Sequence, residues 1–361
     1  RSLRMTILKL FTLSSIFRLT IFNVVILSSV FAGEWVKYGW QLYDQPGDAR
    51  ILSLGGAQVA QGQSISSVLV NPANDAFAVR DDFSYAHQSR FGGTVQHDLL
   101  AFSVNRGFAR PITIVILQEY VGGIPNTIDG LMDWGADGIP GTQDAGEGNG
   151  VLDEGERLDA DKITNFYQQQ WGLYVSTTWK MNDWTVGAGV KGLFHSIDTH
   201  YANGIGFNVG ARRNLWKTIS VGAAVSDVTT SWLVWDNGTT ERALPVLMAG
   251  LAGDFTVPLM KWPSSFFTDI VFDLNGEFVG DQFSSGSYRV GLELAPKPSV
   301  RIRTGLSETS ELTGGLGIVK ENWIIDYTYK PSPSGSSLGS SHILTFTVSP
   351  RWIFGLLGVS Y

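Results

Sequence analysis

The segment 269–278 reads Asp269-Ile270-Val271-Phe272-Asp273-Leu274-Asn275-Gly276-Glu277-Phe278. One set of alternate positions carries mostly acidic and amide side chains, while the other carries Ile270, Phe272, Leu274 and Phe278. Successive side chains of a β-strand point to opposite faces, so this period of two predicts a strand with one polar and one apolar face.

Similar segments, each ended by turn-forming residues, follow one another from residue 83 to near the C-terminus. They predict fourteen strands, at 83–90, 95–105, 111–120, 166–181, 183–198, 201–214, 217–230, 241–256, 265–281, 286–297, 298–309, 311–320, 322–331 and 340–349. The even number suits a transmembrane barrel built from one bacterial chain.

The polar faces of neighbouring strands carry opposite charges. Asp269, Asp273 and Glu277 are expected to face Arg289, and Glu293 is expected to face Arg301 and Arg303. Opposite charges on adjacent strands stabilise each other, so a narrow, cross-braced interior is predicted. The alternative is that these side chains are merely solvated.

Composition and strand ends favour a transmembrane barrel over a soluble sandwich. Hydrophobic residues make up 43% of the 361-residue chain and charged residues only 16%. No stretch after residue 33 is continuously apolar over the roughly 18 residues that a transmembrane helix needs. Aromatic residues concentrate near predicted strand ends, where an aromatic girdle would lie. The tryptophans of this kind are Trp171, Trp179, Trp184, Trp216, Trp232, Trp235, Trp262 and Trp323. The fold class is therefore all-β, a transmembrane antiparallel β-barrel of about 14 strands surrounded by the lipid of a bacterial outer membrane.

Connection lengths agree with this topology. If the N-terminus is periplasmic, the long connections 121–165, 231–240 and 331–339 all fall on the extracellular side, and the periplasmic turns are short. Alternation of short periplasmic turns with longer extracellular loops is typical of outer-membrane barrels.

The N-terminal part predicts export. Basic residues precede an apolar run at 19–31, and small residues at Val30 and Ala32 suit cleavage, so residues 1–32 are predicted as a signal peptide. The alternative is a membrane anchor. Residues 33–82 are rich in small and turn-forming residues and are predicted to be compact and irregular, and 83–361 form the barrel.

Several function classes are disfavoured. A net charge of −7 leaves no basic face for nucleic acid. The chain has no Cys, and it lacks a nucleophile elbow, a phosphate loop and a dinucleotide fingerprint, so no enzyme is predicted. His195 and His200 lie near Asp198 in sequence; they are more often polar loop residues than ligands of a metal.

The loop 121–165 carries the one chemical motif. Acidic and amide side chains alternate there with glycines, as in calcium-binding loops. If Gly150 takes the place of the EF-hand glycine, candidate ligands are Glu147, Asn149, Asp153 and Glu156. If Gly138 does, they are Asp133, Asp137 and Asp144. Neither register is complete. The first has Ala145, which cannot bind calcium, at its first position, and the second has only the three ligands named. Calcium binding is predicted, with a solvated acidic loop as the alternative.

Three groups of motifs resemble the PorV/PorQ-type outer-membrane proteins, which are relatives of the FadL fatty-acid transporters. The first comprises Gly47-Asp48-Ala49-Arg50, Gly55-Gly56-Ala57 and Asn71-Pro72-Ala73. The second is Leu244-Pro245 with Gly250, and the third runs from Leu312-Thr313-Gly314 through Ile325-Asp326-Tyr327 to His342. Asp48 departs from the family start, which is usually Gly-Ala-Arg, and residues 351–361 extend past the last strand.

The resemblance implies a fourteen-stranded barrel whose N-terminal segment, residues 33–82, plugs the lumen. It also implies a partner or shuttle protein in secretion or surface attachment, connected with type IX secretion. The alternative is a FadL-like transporter of hydrophobic small molecules. A structural outer-membrane protein is a third possibility. The acidic loop slightly favours the first role, and an apolar pocket between plug and wall would favour the second.

Overall fold

The structure, a computed structural model, describes residues 39–44, 47–77, 82–104, 109–279, 282–308, 311–332, 338–356 and 358. All the described residues belong to the unit Lys37–Tyr361. The predicted signal peptide, residues 1–32, lies outside the described residues.

An antiparallel sheet closes on itself through the pairing of its first and last strands, β1 and β18. The strands are β1 Phe83–Arg90, β2 Val95–Val104, β3 Ile112–Asn126, β4 Leu131–Met132, β5 Arg157–Leu158, β6 Thr164–Met181, β7 Trp184–Ile197, β8 His200–Asn214, β9 Ile219–Ser226, β10 Ser231–Trp235, β11 Thr240–Ala243, β12 Val246–Thr256, β13 Pro263–Val279, β14 Gln282–Lys297, β15 Val300–Leu306, β16 Leu312–Val319, β17 Trp323–Lys330 and β18 Ser341–Val348. Fourteen of these described strands form the ring, and the predicted fourteen-stranded barrel is confirmed.

Helical elements are short. The described ones are α1 Ala49–Ser53, α2 Pro350–Leu356 and 3-10 helices at Gln41–Tyr43, Ile65–Leu69, Pro72–Phe77, Phe91–Gly93 and Ala160–Lys162. In the described part of the chain, no helix is long and apolar enough to cross a bilayer.

Side chains alternate across the wall as the sequence predicts. In β13, Ile270 and Phe272 point outward and are exposed, whereas Asp269, the residue before Ile270, points inward and is buried. Outward apolar side chains on neighbouring strands form a belt that suits hydrocarbon rather than water. The chain is therefore a bacterial outer-membrane protein, as expected.

The predicted cross-strand charges meet in the lumen. Asp269 and Arg289 are register partners, and Arg303 Nε donates to Glu293 Oε2 at 2.5 Å. Arg301 differs, because its guanidinium donates to the backbone carbonyls of Lys297 and Pro298 rather than to Glu293.

Two wall strands are interrupted, and here the predicted boundaries were wrong. The predicted strand 217–230 ends at Ser226, and the predicted loop 231–240 instead holds β10 and the start of β11. Asp227 and Thr230 take positive φ angles of 56° and 67°, which lie outside the β region. β9 and β10 form successive parts of one wall strand, since both pair with β8.

The predicted long loop 121–165 is also shorter than expected, because β3 continues to Asn126 and β6 begins at Thr164. Trp235 was expected in the outer aromatic girdle. Its ring instead lies 5.1 Å from the ring of His195, whose side chain is buried in the lumen.

The described residues between Gly39 and Phe77, called the luminal segment below, lie inside the barrel. Asp48 starts α1 by accepting from the backbone N–H of Ile51 at 3.0 Å, a standard N-cap. α1 packs on β15–β18, and the 3-10 helices pack on β1–β3 and β6–β8. The segment's middle part, near Leu54 and Val59, touches β9 and β12–β14. Every strand of the ring is thus in contact with the segment, which fits the predicted plug.

Candidate functional site

Charged side chains attach the luminal segment to one side of the wall. Arg50 donates to both carboxylate oxygens of Glu293 at 3.2 Å. Arg303 donates to Glu293 as well and, at 2.6 Å, to Asp326. These four side chains, called the anchor cluster, are all buried. Two cations and two anions balance, so a charged group is not left unpaired in the interior.

Backbone groups of the segment add to this attachment. Asp269 accepts from the backbone N–H of Gln58 at 2.7 Å and of Val59 at 3.0 Å. Thr345 accepts from the N–H of Ala49 at 2.8 Å. Wall side chains therefore satisfy N–H groups that the irregular segment cannot satisfy by itself.

Inward-facing glycines allow the segment to approach the wall. At Gly187, Gly222 and Gly305, a Cβ atom would lie less than 3.0 Å from backbone atoms of Pro72, Val59 and Leu54. No side chain fits at such a distance, so these wall positions require glycine. The wall and the luminal segment are fitted backbone to backbone, which leaves no open pore between them there.

The other side of the interface is apolar. A buried cluster, called the apolar seam, joins the luminal segment to β1–β3, β6–β8 and the β10–β11 hairpin. Its members are Trp40, Leu42, Ile65, Val68, Leu69, Ala86, Leu99, Ala101, Val115, Leu117, Tyr174, Leu193, Ala202, Leu233 and Ala243. Dispersion and solvent exclusion act on this side, together with hydrogen bonds from the Leu42 N–H to Gln170 and from Gln88 to the Gly47 carbonyl.

A cleft opens between α1 and strands β14–β17. Its free volume, including the open mouth, is about 470 Å³. Ile51, Leu52 and Val70 form an apolar floor, while Arg289 and Lys330 stand at the rim. Both cations are paired, with Glu308 at 2.9 Å and Glu311 at 2.7 Å. An apolar floor below a polar rim is the usual arrangement of a small-molecule pocket.

A larger depression of about 1030 Å³ lies on the lipid-facing side of β6–β8. Val175, Val190 and Phe207, which line it, point outward. Lipid chains cover this surface in a membrane, so we do not assign a solute site to it.

Acidic residues of the loop 121–165 bind backbone N–H groups. Asp133 accepts from Gly148 at 2.7 Å and from Gly150 at 2.6 Å, and the Gly150 bond holds the pKa of Asp133 below its usual range. Glu156 accepts from Gly135 at 2.8 Å and from Asp153 at 2.9 Å. Hydrogen bonds from backbone N–H groups, three of them from glycines, to these two carboxylates therefore order the loop.

The remaining predicted calcium ligands are engaged in the same way. Asp144 accepts from the N–H of Asp137 at 2.8 Å, Glu147 from that of Gln143 at 2.5 Å, and Asp153 from the Asn149 amide at 2.7 Å. The described residues contain no group of three or more His, Asp or Glu side chains placed to hold a metal ion. Calcium binding in this loop stays a prediction.

The weak His195, His200 and Asp198 grouping is not assembled. His195 points into the lumen, whereas His200 is exposed and lies 3.2 Å from Asp236. His195 lies opposite Ala202 and His200 lies opposite Ile197, so both residues alternate to the same face of the wall, but His200 stands at the exposed start of β8 and pairs with Asp236.

Sequence reasoning missed the partners from the luminal segment. Arg50 was noted only as part of a motif, although it joins the predicted Glu293–Arg303 pair. An arginine in the first turn of a helix that starts at an Asp N-cap, in a chain with inward-facing acids, is a weak signal for such a contact. Lys191 and Asp227, 2.7 Å apart and buried, were not foreseen, because Asp227 lies in the strand interruption.

No protein-family model and no curated protein matches the chain. Among solved structures, the toluene transporter TbuX of Ralstonia pickettii is 14% identical at a TM-score of 0.52, over 84% of this chain and 98% of that chain. The toluene transporter TodX of P. putida is 9% identical at a TM-score of 0.53, over 86% and 99%.

Identities this low establish the fold and nothing finer. The PorV/PorQ resemblance within this group is not shown and stays a prediction. By the closure of its strands, its lipid-facing belt, its luminal segment and its structural neighbours, this chain is a fourteen-stranded β-barrel of the bacterial outer membrane with the fold of these toluene transporters.

Proposed function

We propose that the barrel passes small hydrophobic molecules across the outer membrane. The observation that carries this proposal is the division of the lumen into two unlike sides. The Arg50–Glu293 ion pair fixes the luminal segment to β14, while the apolar seam joins the segment to the opposite wall. An apolar solute can enter along the seam between apolar side chains, because their contacts are non-directional.

The occluded lumen argues against a general pore for polar solutes. The luminal segment touches every ring strand, and glycine positions bring its backbone against the wall. A water-soluble molecule would have to remain hydrated on its way through a region that is packed and largely dry. The toluene transporters that share this fold support the same solute class, by analogy.

Uptake experiments can test the proposal. Vesicles with lipopolysaccharide in the outer leaflet, which slows hydrophobic solutes, are prepared with and without the full chain. Toluene uptake should be faster with the protein, and glucose uptake should not change. Equal toluene rates with and without protein would remove the support for passage.

A matched pair of variants tests the route. Val68 belongs to the apolar seam, whereas Val59 packs on the anchored side with Ala224 and Met248. Val→Thr replaces a methyl by a hydroxyl at similar volume, so each variant should lose comparable stability. Val68→Thr should slow toluene uptake severalfold, and Val59→Thr should leave it unchanged. Equal effects would place the route elsewhere.

The secretion-partner role implied by the resemblance is a separate hypothesis. Native mass spectrometry of the protein, extracted gently from its own membrane, would distinguish the secretion-partner role from the passage of hydrophobic molecules. A large co-purifying protein together with no toluene uptake would favour a partner role. A bound hydrophobic molecule would favour passage.

A further inference from the structure

Two adjacent rows of inward-facing side chains cross β1, β2, β3, β6 and β7. The row nearer the loop 121–165 is polar, and its members are successive cross-strand partners: Gln88, His97, Glu119, Gln170 and His195. The next row is apolar, with Ala86, Leu99, Leu117, Gly172 and Leu193. All these positions are shielded from solvent, so the wall presents a buried surface that is polar along one edge and apolar below it.

Several atoms of the polar row have no hydrogen-bond partner among the described residues. They are both ring nitrogens of His97, both ring nitrogens of His195 and the amide nitrogen of Gln170. His97 Nδ1 lies 3.6 Å from Glu119 Oε2, which is too long for a hydrogen bond. Native interiors leave few buried polar groups unsatisfied, because each costs free energy. A cluster of them on one face therefore points to a ligand with hydrogen-bonding groups.

The cations beside this face already have anionic partners, and Arg90 interacts with Asp44 as well as with Glu119. Arg90 pairs with Glu119 at 3.1 Å, and Lys191 pairs with Asp227 at 2.7 Å. The atoms that lack partners belong to imidazoles and an amide, which supply both donors and acceptors. A carboxylate ligand only accepts and would bring an unbalanced charge. A hydroxyl group donates and accepts without charge, so it matches this face better.

Aromatic rings already occupy the neighbouring space. Lys191 Nζ lies 4.7 Å from the ring centre of Trp40 and 5.1 Å from that of Tyr43, and the Tyr43 hydroxyl donates to the Gly192 carbonyl at 2.8 Å. At Gly172 a Cβ would come within 2.7 Å of that hydroxyl. The wall is thus shaped to receive a phenol and an indole from the chain's own turn at 40–43.

We propose that this face of the lumen binds a neutral, hydroxylated aromatic molecule, a phenol or an aromatic alcohol. The ring lies against Leu193 in space now taken by the turn at 40–43, and the hydroxyl bonds to His195 and Gln170. The inference rests on the proposed passage of hydrophobic solutes and names their class. It predicts that a hydroxyl improves binding over a bare hydrocarbon.

Binding to the full chain in detergent tests the proposal. Isothermal titration compares p-cresol, toluene and p-toluate, which share a ring and a methyl group. p-Cresol should bind about tenfold more tightly than toluene, as expected for one satisfied hydrogen-bond site, and p-toluate should bind most weakly. If toluene or p-toluate binds as tightly as p-cresol, the proposed site is refuted, whatever any variant shows.

Two histidine variants locate the site. His195→Leu should remove the advantage of p-cresol and leave toluene binding unchanged. His200→Leu is the control, since His200 lies on the adjacent strand but is exposed and paired with Asp236. Loss of p-cresol and toluene binding together in His195→Leu, with the barrel still intact on a gel, would mean that His195 acts only on structure.

Passage and binding can fail separately. If p-cresol binds as expected but does not cross vesicles, the site stands and the proposed transport is wrong. If toluene crosses but p-cresol shows no preference, transport stands and the inferred solute class is wrong.

Discussion

Replacing Arg50 by Met tests whether the anchor cluster holds the luminal segment in place. Arg50 makes two bonds to Glu293 at 3.2 Å, one to Gln58 at 3.3 Å and one to Gln63 at 2.9 Å. Breaking a buried ion pair typically costs about 3–5 kcal/mol. Arg303 still neutralises Glu293, so we expect the lower end, about 3 kcal/mol, which is roughly a 150-fold change in the folding equilibrium.

The measurement is urea unfolding in lipid or detergent, followed by the fluorescence of the 12 tryptophans. The midpoint should fall at an unchanged slope, because the surface exposed on unfolding stays the same. Ion conductance in planar bilayers should also rise, since a loosened segment admits water.

The matched control is Arg213→Met. Arg213 and Asp183 form an ion pair of similar length, 2.9 Å, but their side chains are 37% and 73% exposed. Exposed pairs contribute about 0–1 kcal/mol, so this variant should unfold nearly as the wild type does. Equal midpoints for both variants would show that burial does not set the strength of the anchor.

Three further predictions concern the wall, the loop and the closed barrel. Gly305→Ala should expel the luminal segment and expose it to protease, because a Cβ would meet the backbone of Gly55 and Leu54. Gly314→Ala is the control, because no atom lies within 4 Å of its Cβ position. If both variants protect the segment from protease, the close fit of segment and wall is contradicted. Calcium should protect the loop 121–165 from protease, and Asp137→Ala or Asp153→Ala should weaken that effect; identical cleavage with calcium and with chelator would reject the site. Unheated protein should migrate differently from boiled protein on a gel, since closed barrels often resist cold detergent; identical mobility with a helical circular dichroism spectrum would be incompatible with the barrel.

The sequence by itself determined the strands and their faces. The period of two in 269–278 assigned Asp269 to the lumen and Ile270 to lipid, and the structure agrees. Register followed from the same pattern, because a slip by one residue would turn every side chain to the opposite face. The Glu293–Arg303 pair could therefore be predicted from two segments that are adjacent in sequence.

Only the tertiary structure decided what meets inside the barrel. Arg50 reaches Glu293 across 243 positions of sequence, and the polar row collects His97 and His195 from distant strands. The interruption at Asp227 was also invisible, since the residues around it favour strand formation. Alternation is a property of each strand alone, whereas the closing of the ring around the luminal segment determines which inward side chains come together. Local pattern carries no information about that arrangement.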